Sequence, residues 1–237
     1  QAQVLEACGS RWRSKVRLSS LDGQLFLHSA FPTTASDAVF FGPDTYRFAN
    51  AIRCHLNQHT GMIRRAVDIG CGSGAGAILT ALARPQAEVL AVDINPEALR
   101  LTHINAALAG ADNLRALHSD LLSAVDGEFD LILANPPYLV DADQRAYRHG
   151  GGPLGAGLSL AILDAALQRW RRVERCCCIP AWRCWTTRTR SSRRCADACR
   201  AAPSAGPIAS WTRTCSAKSY SVAPTSNATA SPPWCWK

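Results

Sequence analysis

Ala66-Val67-Asp68-Ile69-Gly70-Cys71-Gly72-Ser73-Gly74-Ala75-Gly76 decides the fold. Ala66 to Ile69 is a short buried strand, glycines then recur at alternate positions, and an apolar helical pattern runs through Ala77–Leu82 until Pro85 ends it. Such glycines let a backbone turn tightly, pass close to a ligand and present amide N–H groups at a helix N-terminus. A Gly-rich turn without a ligand is the plain alternative. A dinucleotide fold is the rival, since Gly70, Gly72 and Ala75 also satisfy G-x-G-x-x-[GA]. The loop alone leaves these open.

Downstream, strand and helix signals alternate. Glu88 to Ile94 reads as a second strand. Asn95-Pro96-Glu97 supplies an N-cap, a first-turn proline and an acidic first turn for a helix that Gly110 closes. Leu114 to His118 is a third strand, Phe129 to Ala134 a fourth, and Leu158 to Leu167 the next helix. The alternation predicts an α/β fold: a parallel, doubly wound sheet with helices on both faces and its ligand at the strands' carboxyl ends. Upstream, Val16 to His28 alternates around Asp22-Gly23, a hairpin signal. Tyr46, Phe48, Ile52 and Leu56 then share one face of a helix. The expected organisation is an N-terminal appendage or lid over 1–57, a binding domain over 58–169, and a separate segment over 170–237.

Asp93 ends the second strand 25 residues after Asp68. An acid at that point accepts both hydroxyls of an adenosine ribose, and its plain alternative is a turn aspartate before the Asn95 cap. Asp120 ends the third strand and suits an adenine amino group. Asn135-Pro136-Pro137-Tyr138 follows the fourth strand directly. A conjugated NH₂ is a poor nucleophile because its lone pair is delocalised. The Asn135 side-chain oxygen and the Pro136 carbonyl can take its two hydrogens and favour a tetrahedral nitrogen, with no competing proline N–H. Tyr138 offers a flat face for a planar amide or base.

These motifs, in this order and spacing, resemble the class I methyltransferases of the HemK/PrmC type, which methylate a glutamine side-chain nitrogen of release factors. The resemblance covers residues 40–169. Arg148 to Gly152 resembles the glycine-rich segment after NPPY in that family, and Phe41 to Thr45, more weakly, the segment covering the methyl donor. It implies a Rossmann-like seven-stranded sheet, incomplete here at its C-terminal end, and S-adenosyl-L-methionine as cofactor. It also implies direct methyl transfer with no metal. Cofactor contacts would fall to Asp68, Gly70, Cys71, Gly72, Gly74, Asp93, Ile94, Asp120, Leu121 and Asn135; Asn135, Pro136, Pro137 and Tyr138 would serve the acceptor nitrogen. The N-terminal appendage does not match the family's helical substrate-binding bundle. NPPY also occurs in N6-adenine methyltransferases, so the acceptor is a protein glutamine, through a translation factor for instance, or alternatively adenine in RNA or DNA. A non-catalytic nucleotide-binding module would retain the glycines but has no use for NPPY.

Charge separates the chain into two parts. Residues 1–169 hold 14 Lys/Arg against 16 Asp/Glu, net −2, whereas 170–237 hold 12 against 2, net +10. That distribution counts against DNA as the partner of the main body. The last segment also holds 8 of the 11 cysteines and 6 of the 7 tryptophans, with no Leu or Phe. Its cysteines lack the spacing of a zinc or disulfide module, and six tryptophans are foreign to a basic disordered RNA-binding tail. A change of reading frame accounts for both oddities. Every Cys and Trp codon starts T-G and, read one base earlier, becomes N-T-G: Leu, Val or Met. Around Cys176-Cys177-Cys178 that frame can spell a Gly turn and an apolar strand. As written, the segment is expected to lack a stable fold and to leave the fourth strand as an exposed edge. No run of about 18 apolar residues suggests a membrane helix. The start, Gln1-Ala2-Gln3, reads as an incomplete N-terminus of a cytoplasmic protein.

Overall fold

A computed structural model describes residues 4–58, 61–137, 149–151, 155–170 and 177–178. Two antiparallel hairpins come first: β1 (Leu5–Cys8) with β2 (Arg11–Ser14), and β3 (Val16–Leu21) with β4 (Gln24–Ser29). Asp22 and Gly23 join β3 to β4 with φ of 50° and 80°, the two positive values that a twisted two-residue hairpin turn requires. The β1–β2 hairpin was not foreseen; its signal, Gly9-Ser10 between two four-residue runs, is short and carries little apolar alternation.

Helix α1 (Pro43–Gln58) buries Phe48, Ala49, Ile52 and Leu56, but Tyr46 is exposed, contrary to the face predicted for it. At helical spacing Thr45, not Tyr46, falls in line with Phe48 and Ile52. Tyr46 instead sets its ring edge-on to Phe41, with centroids 5.5 Å apart.

The main sheet follows the predicted alternation. In chain order it comprises β5 (Arg65–Ile69), β6 (Glu88–Asp93), β7 (Leu114–His118), β8 (Leu131–Ala134) and β9 (Cys177–Cys178), with α2 (Ala75–Ala83), α3 (Pro96–Ala109) and α4 (Gly157–Arg169) between them. The spatial order is β7-β6-β5-β8-β9, all parallel. The chain therefore steps outward from β5 to β7 and returns to the other side of β5. A crevice opens where the order reverses, between β5 and β8.

Five strands make up this sheet among the described residues, not seven. The fourth strand starts at Leu131; Phe129 makes a separate bridge to Trp170, with its amide donated to Arg169 O at 2.9 Å. Nor is β8 an exposed edge as expected, for Cys177 and Cys178 pair with Leu133 and Ala134. The remainder of 171–237, and with it the expectation of an unfolded tail, lies outside the described residues.

Alternation along β5, β6 and β8 divides the core. Ala66, Val89, Ala91, Leu131 and Leu133 face a cluster containing Ile78 of α2, Phe48 and Ile52 of α1, and Leu21 and Phe26 of the second hairpin. Val67, Leu90, Val92 and Ile132 face Ile162 and Ala166 of α4. Each fully buried aliphatic side chain contributes roughly 1.5–3 kcal/mol. The hairpin and α1 thus share the sheet's own core. Among the described residues no helix is long and apolar enough to cross a membrane.

Candidate active site

The crevice is lined by Gly70, Cys71 and Gly72 from the loop after β5, by Asp93 and Ile94 at the end of β6, and by Asp120 and Leu121 after β7. Asn135, Pro136 and Pro137 line it after β8. Register explains the convergence: Ile69 pairs with Val92 and with Ala134, so the loops leaving three parallel strands start at one level. Gly150 packs beneath the last of these loops. A Cβ there would stand 2.7 Å from Pro137 O and 2.0 Å from Gly155 O, so the glycine-rich segment after NPPY fits only without a side chain. Tyr138 lies outside the described residues.

Two predicted contact residues do not line the crevice. Asp68 is buried below it, and its Oδ2 accepts the Ala77 amide at 3.0 Å, which anchors the start of α2. Among the described residues its buried Oδ1 has no hydrogen-bond partner. Burial, above all, pushes the Asp68 carboxyl up to about 7; the Ala77 amide opposes this and the Asp93 charge adds to it. Gly74 is the N-cap of α2, with φ 81° and a missing Cβ that would meet Thr102 Cγ2 at 2.8 Å. Both residues shape the loop from behind.

The loop does not present its amides as expected either. Gly70 and Cys71 donate to Val92 O at 2.8 and 3.1 Å, Gly72 donates to Asp93 Oδ2 at 3.0 Å, and Gly74 donates to Cys71 O at 2.8 Å. Four N–H groups are thereby committed inside the fold. Cys71 is no nucleophile: burial, with the charges of Asp93 and Asp68, holds its thiol well above the ordinary range, and Sγ lies 3.4 Å from Thr102 Oγ1.

Asp93 Oδ1 accepts the Asn95 amide at 2.9 Å. Its pKa is raised by burial, against the lowering effect of the Asn95, Gly72 and Ile94 amides. A carboxylate has about four lone-pair directions. Two backbone bonds leave it the capacity to accept a pair of ligand hydroxyls.

One wall of the crevice is formed by Ala38, Val39, Phe40, Asp44, Thr45 and Phe48; Asp44 and Thr45 fall in the segment expected to cover the donor, whereas Ala38, Val39, Phe40 and Phe48 were not foreseen. Val39 is held to the second hairpin, with Ser29 N donating to Val39 O at 3.1 Å and Val39 N donating to Ser29 Oγ at 2.9 Å. Leu158 and Ile162 of α4 close the side next to Pro137.

Residues 48–148 match the family of the methyltransferase small domain. Three relatives resemble the chain in sequence. The release factor glutamine methyltransferase of Deinococcus radiodurans is 49% identical over 34% of this chain and 28% of its own length. That of Escherichia coli K12 is 34% identical over 60% of this chain and 51% of its own. The ribosomal protein uL3 glutamine methyltransferase of Neisseria meningitidis serogroup A is 38% identical over 36% of this chain and 28% of its own. The chain thus matches about half the length of these relatives at most.

The segment that matches this family carries β5 to β8, the glycine loop and the Asp93, Asp120 and Asn135 parts of the crevice lining.

Proposed function

We propose that the protein transfers a methyl group from S-adenosyl-L-methionine to the side-chain nitrogen of a glutamine in a protein substrate. The observation that carries this reading is the placement of Asn135-Pro136-Pro137 on the crevice wall beside Gly70 and across from Asp93.

In this reading Asp93 holds the ribose hydroxyls, Asp120 the adenine amino group, and Gly70, Cys71, Gly72, Ile94 and Leu121 provide a close-fitting floor. The internally committed loop amides favour a donor without phosphates over a dinucleotide, whose pyrophosphate would call on such groups. Bound there, the donor supplies an electrophilic methyl group on a sulfonium. Asn135 and Pro136 accept the two amide hydrogens of the glutamine, so that its nitrogen lone pair turns toward the methyl carbon. The N–C bond forms as the C–S bond breaks, and the extra proton on nitrogen passes to solvent afterwards. Rate enhancement comes from positioning and from acceptors directed at the nitrogen as it turns positive. Two relatives with different protein substrates, a release factor and a ribosomal protein, share glutamine as the acceptor, which favours glutamine over adenine.

Labelled donor incubated with the protein and cell extract tests the reading. Label entering the protein fraction is expected. Label entering RNA alone would replace glutamine with the adenine alternative.

The segment from Trp170 onward is read as frame-shifted. In the adjacent frame Cys177 and Cys178, which pair with β8, become aliphatic residues in a strand position.

A further inference from the structure

Asn105 is fully buried in the middle of α3, where asparagine is a poor helix former. Three side-chain hydrogen bonds of Asn105 leave the helix. Oδ1 accepts the Leu27 amide at 2.7 Å, and Nδ2 donates to Leu27 O at 3.0 Å and to Ser73 O at 2.9 Å. Toward β4 it offers what a neighbouring strand would, one acceptor and one donor. Its second amide hydrogen reaches the glycine loop.

Each end of this link continues to a wall of the same crevice. Ser73 lines it directly. On the other side, Phe26 and His28 flank Leu27 and pack on Phe41, with ring centroids 5.5 and 5.1 Å apart, while Ser29 holds Val39 of the opposite wall. One turn earlier on α3, Thr102 Oγ1 donates to Gly72 O at 3.1 Å. Asn95, at the helix start, donates from Nδ2 to Asp37 O at 2.9 Å. Helix α3 therefore grips the glycine loop and the N-terminal wall together, and only Asn105 bonds to both the β3–β4 hairpin and the loop among the bonds just described.

We infer that Asn105 is a positioning residue that couples the order of the β3–β4 hairpin to occupancy of the cofactor crevice. The inference rests on the cofactor reading of that crevice. Donor binding fixes the loop around Ser73, and the shared amide passes the restraint to Leu27. By reciprocity, whatever steadies the hairpin tightens donor binding by the same factor. Asn105→Ala would leave the Leu27 and Ser73 carbonyls without this donor. Asn105→Asp would set a second acceptor against them.

Hydrogen exchange of the full chain, with and without saturating S-adenosyl-L-methionine, tests the coupling. In the wild type, protection of residues 24–29 should rise on binding although those residues do not line the crevice. In Asn105→Ala donor affinity should fall roughly tenfold, as expected for loss of about one hydrogen bond, and residues 24–29 should no longer respond at saturation. Ser29→Ala, a milder change at the far end of the link, should reduce the response without abolishing binding. A wild type that does not bind the donor removes the cofactor reading and the coupling with it. Donor binding that leaves 24–29 unchanged, or a full response in either variant at wild-type affinity, overturns the coupling alone.

Discussion

Asp93 Oδ2 accepts the amide of Gly72 at 3.0 Å, joining the end of the second sheet strand to the glycine loop that leaves the first. In the proposed reading the carboxylate has a second task beside holding the loop, to receive the donor's ribose hydroxyls. Asp93→Ala should weaken S-adenosyl-L-methionine binding by at least tenfold, since bonds to a charged acceptor contribute roughly 1.5–3 kcal/mol each. Calorimetric titration checks this. Unchanged affinity would remove the residue from the donor site, and binding of NAD in place of the methyl donor would favour a dehydrogenase.

Asp68 makes stability depend on pH. Its folded pKa, about 7, lies above the unsited value of 3.8, so the folded state holds a proton that the unfolded chain releases. Folding stability should therefore be highest below about pH 4 with respect to this group and should fall as pH rises to about 7, by up to about 1.4 kcal/mol per pH unit. Asp68→Asn keeps an acceptor for the Ala77 amide and removes the titration. Denaturant unfolding across pH 5–8 should show the wild-type stability declining relative to the variant; parallel profiles would contradict the assignment.

Much of this was legible in the sequence, and the misses share a cause. Strands β5, β6 and β8 are buried on both faces and read as apolar runs, and α3 carries its own cap, whose Asn95 side chain accepts the Glu97 amide at 3.0 Å. Such signals are local. Asp68 and Gly74 were read as ligand contacts because their motif places them in the loop, yet only tertiary packing determines which loop residues face inward. Asn105 was missed because its partners are 78 and 32 residues away. An asparagine inside an apolar helix was the available hint.

Restoring the adjacent reading frame from Trp170 onward should raise the unfolding temperature and tighten donor binding. The segment as written has four branched aliphatics, Val173, Ile179, Ile208 and Val222, too few to cover a sheet face against the entropy of ordering it. Gene sequencing is a direct check. A stop codon in the adjacent frame within a few codons of Cys176 would refute the shift.

Asn135→Ala should leave donor affinity within a few-fold of wild type while abolishing transfer, because its bond to the acceptor strengthens only as the nitrogen becomes tetrahedral. Single-turnover transfer with pre-bound donor separates the two effects. Transfer near the wild-type rate would exclude Asn135 from the chemistry.

Transfer of a methyl group to a glutamine nitrogen is the central claim, and peptide mass spectrometry tests it most directly. Extract proteins would be incubated with the enzyme and methyl-deuterated S-adenosyl-L-methionine, digested, and fragmented to locate the label. The account predicts one deuterated methyl group on a glutamine side chain, absent when Asn135→Ala replaces the wild type. Label found only on adenine, or only on lysine or a carboxylate, would contradict it.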